Sequence, residues 1–201
     1  CSCNSLVMLC CLSQKYPHIT STDIDNCLRY GDNLYKTTAD KLLESGKLHE
    51  TGYIDNEQLP TSFSIGTSSY EMQYGILKYG SIDSRPGSVL EPLDIELQEA
   101  FLVSDTNILI FGSSMMAILK DTTTGHYVFC DSHSRDKFGF PTSEGTAIVL
   151  SFKDIDNLHK YLYVLASKLN LNPNNFAILP VFIESNVNKN QTDMETEPGC
   201  S

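Results

Sequence analysis

Basic residues are scarce: 14 Lys and Arg stand against 25 Asp and Glu in 201 residues, a formal net charge of −11. Neutralising phosphates requires clustered Lys and Arg, and no basic run occurs, so nucleic acid is excluded as the expected partner. An acidic chain suits a basic or neutral protein partner better. Long apolar runs are missing too. The longest, Leu6 to Leu12 and Met115 to Leu119, fall far short of the ~20 residues a membrane helix requires, so no membrane association is expected. The chain opens on Cys1, with neither an initiating Met nor a basic-then-apolar leader before it. The favoured expectation is a fragment cut at its front, with a processed protein as the alternative.

Hydrophobic residues make up 41% of the chain, enough for a core and against wholesale disorder. Cysteine is present in an unusual way: seven residues, an odd number, with Cys1, Cys3, Cys10 and Cys11 crowded at the front and Cys27, Cys130 and Cys200 apart. A secreted disulfide framework shows even counts spread through loops, so reduced thiols and an intracellular location, cytoplasmic or nuclear, are expected. The C-x-C and adjacent C-C spacing matches no zinc pair and no His pair follows it, so no metal site is expected.

Residues 2 to 13 carry no charge and are apolar nearly all round, which predicts a short buried helix stopped by Pro17. Thr20 and Thr22, followed by Asp23 and Asp25, read as starts of a second helix running to Gly46, with a break expected near Gly31. From Tyr53 to Gly87 the pattern weakens to loop with one strand at Tyr74 to Tyr79. A short helix follows Pro92. Strand-like runs then cover Asn107 to Phe111, Met115 to Lys120, His126 to Asp131, Thr146 to Phe152 and Phe176 to Ile183. Asp121 to Gly125 reads as a hairpin turn, and Pro180 predicts an edge position for the last strand. Ile155, Leu158, Leu162, Leu165 and Leu169 form one helical stripe. The order predicts an α+β domain over 1–183, N-terminal helices packed on a mostly antiparallel sheet. Residues 184–201 are polar without a stripe and predict a disordered tail; the Asn190-Gln-Thr192 sequon within it has no secretory context.

Cys1 stands at the start of the first helix, where unpaired N–H groups and the helix dipole favour a thiolate. Cys10 and Cys11 lie inside an apolar run that favours the neutral thiol. A nucleophilic cysteine needs a base and a group to orient that base. Asp131-Ser-His133 supplies both at a strand end, where side chains two apart share a face. Because such side chains stand ~6–7 Å apart at Cβ, direct contact requires a local bend. His18, His49, His126 and His159 have no acid two positions away on a strand. The simpler reading is that the cysteines are core residues and the Asp–His pair belongs to a surface turn.

Cys1-Ser-Cys-Asn4-Ser5-Leu6 resembles the C-x-x-N-[SA]-L box opening the central helix of papain-like deubiquitinases. Ile24 to Tyr35, with Leu59-Pro60 after it, resembles the second helix region of the deubiquitinase domain of herpesvirus large tegument proteins and their relatives. Phe129-Cys-Asp131-Ser-His133-Ser-Arg135-Asp136, then Gly139-Phe-Pro141, Gly145 and Ala147 to Phe152, resemble that family's Asp-x-His block. The resemblance implies a papain-like thiol protease cutting after the C-terminal glycine of ubiquitin or a ubiquitin-like protein, without metal or organic cofactor. It implies Cys1 as nucleophile, His133 as general base and Asp131 as its orienting residue, with Cys3 as runner-up nucleophile. The family's upstream glutamine, an oxyanion donor, has no counterpart in these residues. Two alternatives stand beside this reading: an inactive papain-like module that binds ubiquitin or scaffolds other proteins, and an N-terminal-nucleophile hydrolase.

Overall fold

A computed structural model describes residues 2–171 and 174–187. The first helix, α1 (Ser2–Lys15), is buried nearly all round, as its uncharged sequence dictates. Next comes α2 (Ser21–Glu44), opened by Thr20: its hydroxyl accepts from the Asp23 N–H while the Asp23 carboxylate accepts from the Thr20 N–H. The expected break near Gly31 does not occur, because this glycine serves packing rather than termination. A Cβ there would lie 2.7 Å from the Asn4 Cα, so α1 and α2 approach this closely only with glycine at the crossing.

After a 3₁₀ turn (Asn56–Gln58), the strands are β1 (Ser62–Ile65), β2 (Ser68–Tyr74) and β3 (Lys78–Ser81). Helix α3 (Leu93–Val103) leads into β4 (Thr106–Phe111), β5 (Ser114–Lys120), β6 (Tyr127–Arg135) and β7 (Thr146–Phe152). Helix α4 (Ile155–Lys168) and β8 (Asn175–Val187) complete the described chain. The sheet order is β1-β2-β8-β4-β5-β6-β7, with β3 also on β8, and every strand pairing is antiparallel. Helices α1 and α2 cover one face over Ile108, Ala117, Leu119, Val128 and Cys130. Helices α3 and α4 cover the other over Leu109, Met116, Ile118 and Phe129, and Leu158, Leu162 and Leu165 form the α4 stripe. Successive residues of β4 to β6 alternate between these two cores, as the period of two requires. The fold is α+β, with helices on both faces of one antiparallel sheet.

Three further expectations need correction. The stretch 53–87 holds three strands, not one; Phe63 and Ile65 of β1 and Tyr70, Met72 and Tyr74 of β2 alternate with polar residues in runs too short to stand out from loop, and β2 pairs with β8 while β1 pairs with β2. Pro180 lies in an interior strand. Its carbonyl accepts from the Gly75 N–H, so its nitrogen faces the gap between β2 and β3, where no ladder bond is lost. The domain also continues past 183: Glu184, Ser185 and Asn186 are exposed but pair with Glu71, Tyr70 and Ser69. The rest of the expected tail, with Asn190 and Cys200, lies outside the described residues.

Candidate active site

The ladder between β6 and β7 is regular up to Asp131, opposite Ile148, and resumes at Arg135, opposite Thr146. Residues 132–134 therefore face Ala147 alone, a bulge that supplies the bend needed for Asp131 and His133 to touch. The Asp131 side chain is fully buried, and its Oδ1 accepts from the His133 backbone N–H at 2.9 Å and pairs with His133 Nδ1 at 2.5 Å. Its Oδ2 accepts from Arg135 Nε at 2.7 Å and forms an ion pair with Nη2 at 2.5 Å. Burial alone would raise the Asp131 pKa. The bonds from the His133 ring and backbone, with the positive charges of His133 and Arg135, outweigh it and hold the carboxyl below its ordinary 3.8.

With Nδ1 committed to Asp131, Nε2 is left as the reactive nitrogen of His133. The His133 side chain is 32% exposed and lines a groove of about 460 Å³ with Ile24, Asp25 and Leu28 of α2 and Thr146 and Ala147 of β7. The N-terminal end of α1 lies toward this end of the sheet. Ser5 Oγ donates to the Met115 carbonyl at 2.9 Å, and the pairing of Ala117 with Cys130 places the residues after Cys130 at the Met115 end of β5. At the opposite end of α1, Tyr16 bonds Ser151, which pairs with Val128.

Asp131 and His133 are thus brought into direct contact by the bulge, while Cys1 lies outside the described residues. The runner-up, Cys3, is 1% exposed and its thiol is pushed up to about 11 by burial. Burial also raises the Cys10 thiol. Both are core sulfurs in their neutral form. His49 and His126 find hydroxyl partners, Thr51 at 2.8 Å and Ser151 at 3.3 Å. Arg135 is the residue to which the sequence reading gave no part. Its position two residues beyond His133 is visible in the sequence, but its burial, which demands an anion, is not.

No curated protein sequence matches the chain. Among solved structures, the chain is similar to the ubiquitin-specific protease encoded by a murine cytomegalovirus tegument protein, crystallised with a ubiquitin-based suicide substrate. The two are 15% identical, superpose with a TM-score of 0.72, and align over 98% of this chain and 81% of that one. At this identity the likeness shows the shared fold. The family model described as the herpesvirus tegument protein, N-terminal conserved region, matches residues 1–185, and the chain belongs to that family.

Proposed function

We propose that the chain is a thiol-dependent peptidase that cuts the peptide or isopeptide bond after the C-terminal glycine of ubiquitin or a ubiquitin-like protein. The observation that carries this reading is the buried Asp131 carboxylate bonded to His133, whose imidazole opens on a groove at the sheet end faced by the start of α1. The structural likeness to a protease crystallised with a ubiquitin-based substrate supports the choice of substrate.

In this mechanism the Cys1 thiolate attacks the glycine carbonyl to give a tetrahedral oxyanion. His133, as the imidazolium, passes its Nε2 proton to the departing amine, and the C–N bond breaks to leave a thioester. His133, now neutral, takes a proton from water as the water attacks the thioester. The C–S bond breaks, the glycine carboxylate leaves, and the thiolate–imidazolium pair is restored. Asp131 holds the imidazole in the tautomer with hydrogen on Nδ1 and stabilises its charged form.

The test is hydrolysis of a fluorogenic C-terminal amide of ubiquitin by the polypeptide that carries these residues. Turnover, with a loss of at least about 10³-fold in Cys1→Ala and in His133→Ala, is expected. Ubiquitin binding without turnover would instead favour the non-catalytic module.

A further inference from the structure

We propose that Arg135 is a positioning residue, fixing the plane of the Asp131 carboxylate and through it the direction of the His133 imidazole; this rests on the catalytic reading of that pair. Asp131 is buried and has four acceptor positions to satisfy. Oδ1 takes the His133 backbone and ring bonds, and Oδ2 takes the bond from Arg135 Nε at 2.7 Å with Nη2 in ion-pair contact at 2.5 Å. A guanidinium is a rigid planar group, so its Nε bond and Nη2 ion pair on Oδ2, set against the two His133 bonds on Oδ1, restrain the carboxylate from turning about Cβ–Cγ. A hydrogen bond to a carboxylate oxygen prefers its lone-pair directions, so with Nδ1 bonded to Oδ1 the orientation of that oxygen guides where Nε2 points.

The backbone is arranged to bring Arg135 into reach. In a regular strand residues four apart are about 13 Å from one another, whereas the bulge fits 131–135 alongside only 146–148 of β7, about 7 Å. Arg135 is itself held firmly. Its side chain is 3% exposed, it bridges to Pro141, and Gly145 packs on its backbone so tightly that a Cβ there would stand 2.5 Å from the Arg135 nitrogen. From the far side, the Tyr161 hydroxyl of α4 donates to Gly139 at 2.9 Å and steadies the same loop. The bulge, the loop and the guanidinium form one device behind the carboxylate.

The experiment compares Arg135→Met and Arg135→Lys with the parent protein by two readouts. Steady-state hydrolysis of the ubiquitin amide is expected to show kcat lower by on the order of tenfold to a hundredfold in Arg135→Met, with KM within about twofold, because misplacement of a reacting group by an ångström has that effect. Arg135→Lys, which keeps the charge but not the fork, is expected to fall between. Independently of turnover, the Nδ1 proton of His133, assigned by its loss in His133→Ala, is expected as a far-downfield resonance in the parent protein that weakens or vanishes in Arg135→Met. If Arg135→Met does not fold, the lysine variant carries both readouts. An unchanged resonance with unchanged kcat per folded molecule, or no such resonance in the parent, overturns the assignment. If the parent hydrolyses nothing, the proposed function fails, and the resonance alone decides the part played by Arg135.

Discussion

Replacing Gly31 by alanine sets two effects of opposite sign against each other. In the interior of a long helix the substitution contributes about 1 kcal/mol of stability through propensity and the unfolded chain. Here the new methyl would stand 2.7 Å from the Asn4 Cα and 2.8 Å from its Cγ, against the roughly 3.5–4.0 Å of ordinary carbon contacts. One obstacle is backbone, so α1 and α2 must separate by about 1 Å, and overpacking of this kind costs about 1–3 kcal/mol. With the rigid backbone placing the cost at about 3 kcal/mol, the net loss is about 2 kcal/mol, which for a chain of this size lowers Tm by about 4–8 °C. Thermal unfolding followed by circular dichroism reads it. The shift also displaces the first turn of α1 relative to His133, so kcat is expected to fall on the order of 10²-fold. Adding Asn4→Ala removes the Cγ contact but not the Cα one, and should restore only part of the Tm. A Tm equal to or above that of the parent would refute the close helix crossing.

Asp131→Asn preserves shape but removes the anion between His133 and Arg135. A loss of about 3–5 kcal/mol in denaturant midpoint analysis is expected from the uncompensated arginine, and kcat should fall on the order of 10⁴-fold, as the same change does in serine-protease triads. The folded-state pKa of Asp131 is depressed, so its contribution to stability is complete above the unfolded carboxylate value and is lost as pH falls through the folded one. Unfolding free energy measured below about pH 4 should therefore decline less steeply in Asp131→Asn than in the parent. Cys3, buried with its thiol pushed up to about 11, should resist iodoacetamide in the native protein and react after denaturation, as mass spectrometry of the peptide would show. Cys3→Ala should hydrolyse substrate within about threefold of the parent rate, since neutral buried thiols take no part in the chemistry.

The elements with the strongest local signals were legible in the sequence. The uncharged stretch 2–13, the α4 leucine stripe and the Ile/Val-rich runs of β4 to β7 all fold as their periodicity predicts. What escaped depended on partners distant in the chain. The short alternations of β1 and β2 become strands because β8 holds β2 and β2 holds β1; Pro180 is tolerated inside the sheet because Gly75 opens a gap opposite it; Gly31 continues a helix because Asn4 packs on it. At the site, Asp131 and His133 were recognisable from residue type and spacing. The direct contact was not, since it depends on a bulge set by the register with β7. Nor was the part of Arg135, which emerges only once Asp131 is seen to be buried with a second oxygen to satisfy.

The central claim is that the sulfur of Cys1 forms the covalent link to a ubiquitin-type C-terminus with His133 as its proton carrier. A ubiquitin probe ending in an electrophile, followed by digestion and tandem mass spectrometry, locates the modified atom. The predicted result is one adduct on the Cys1 peptide, formed far more slowly in His133→Ala and absent in Cys1→Ala. An adduct on Cys11, Cys27 or any other cysteine, or undiminished labelling without Cys1, would contradict it.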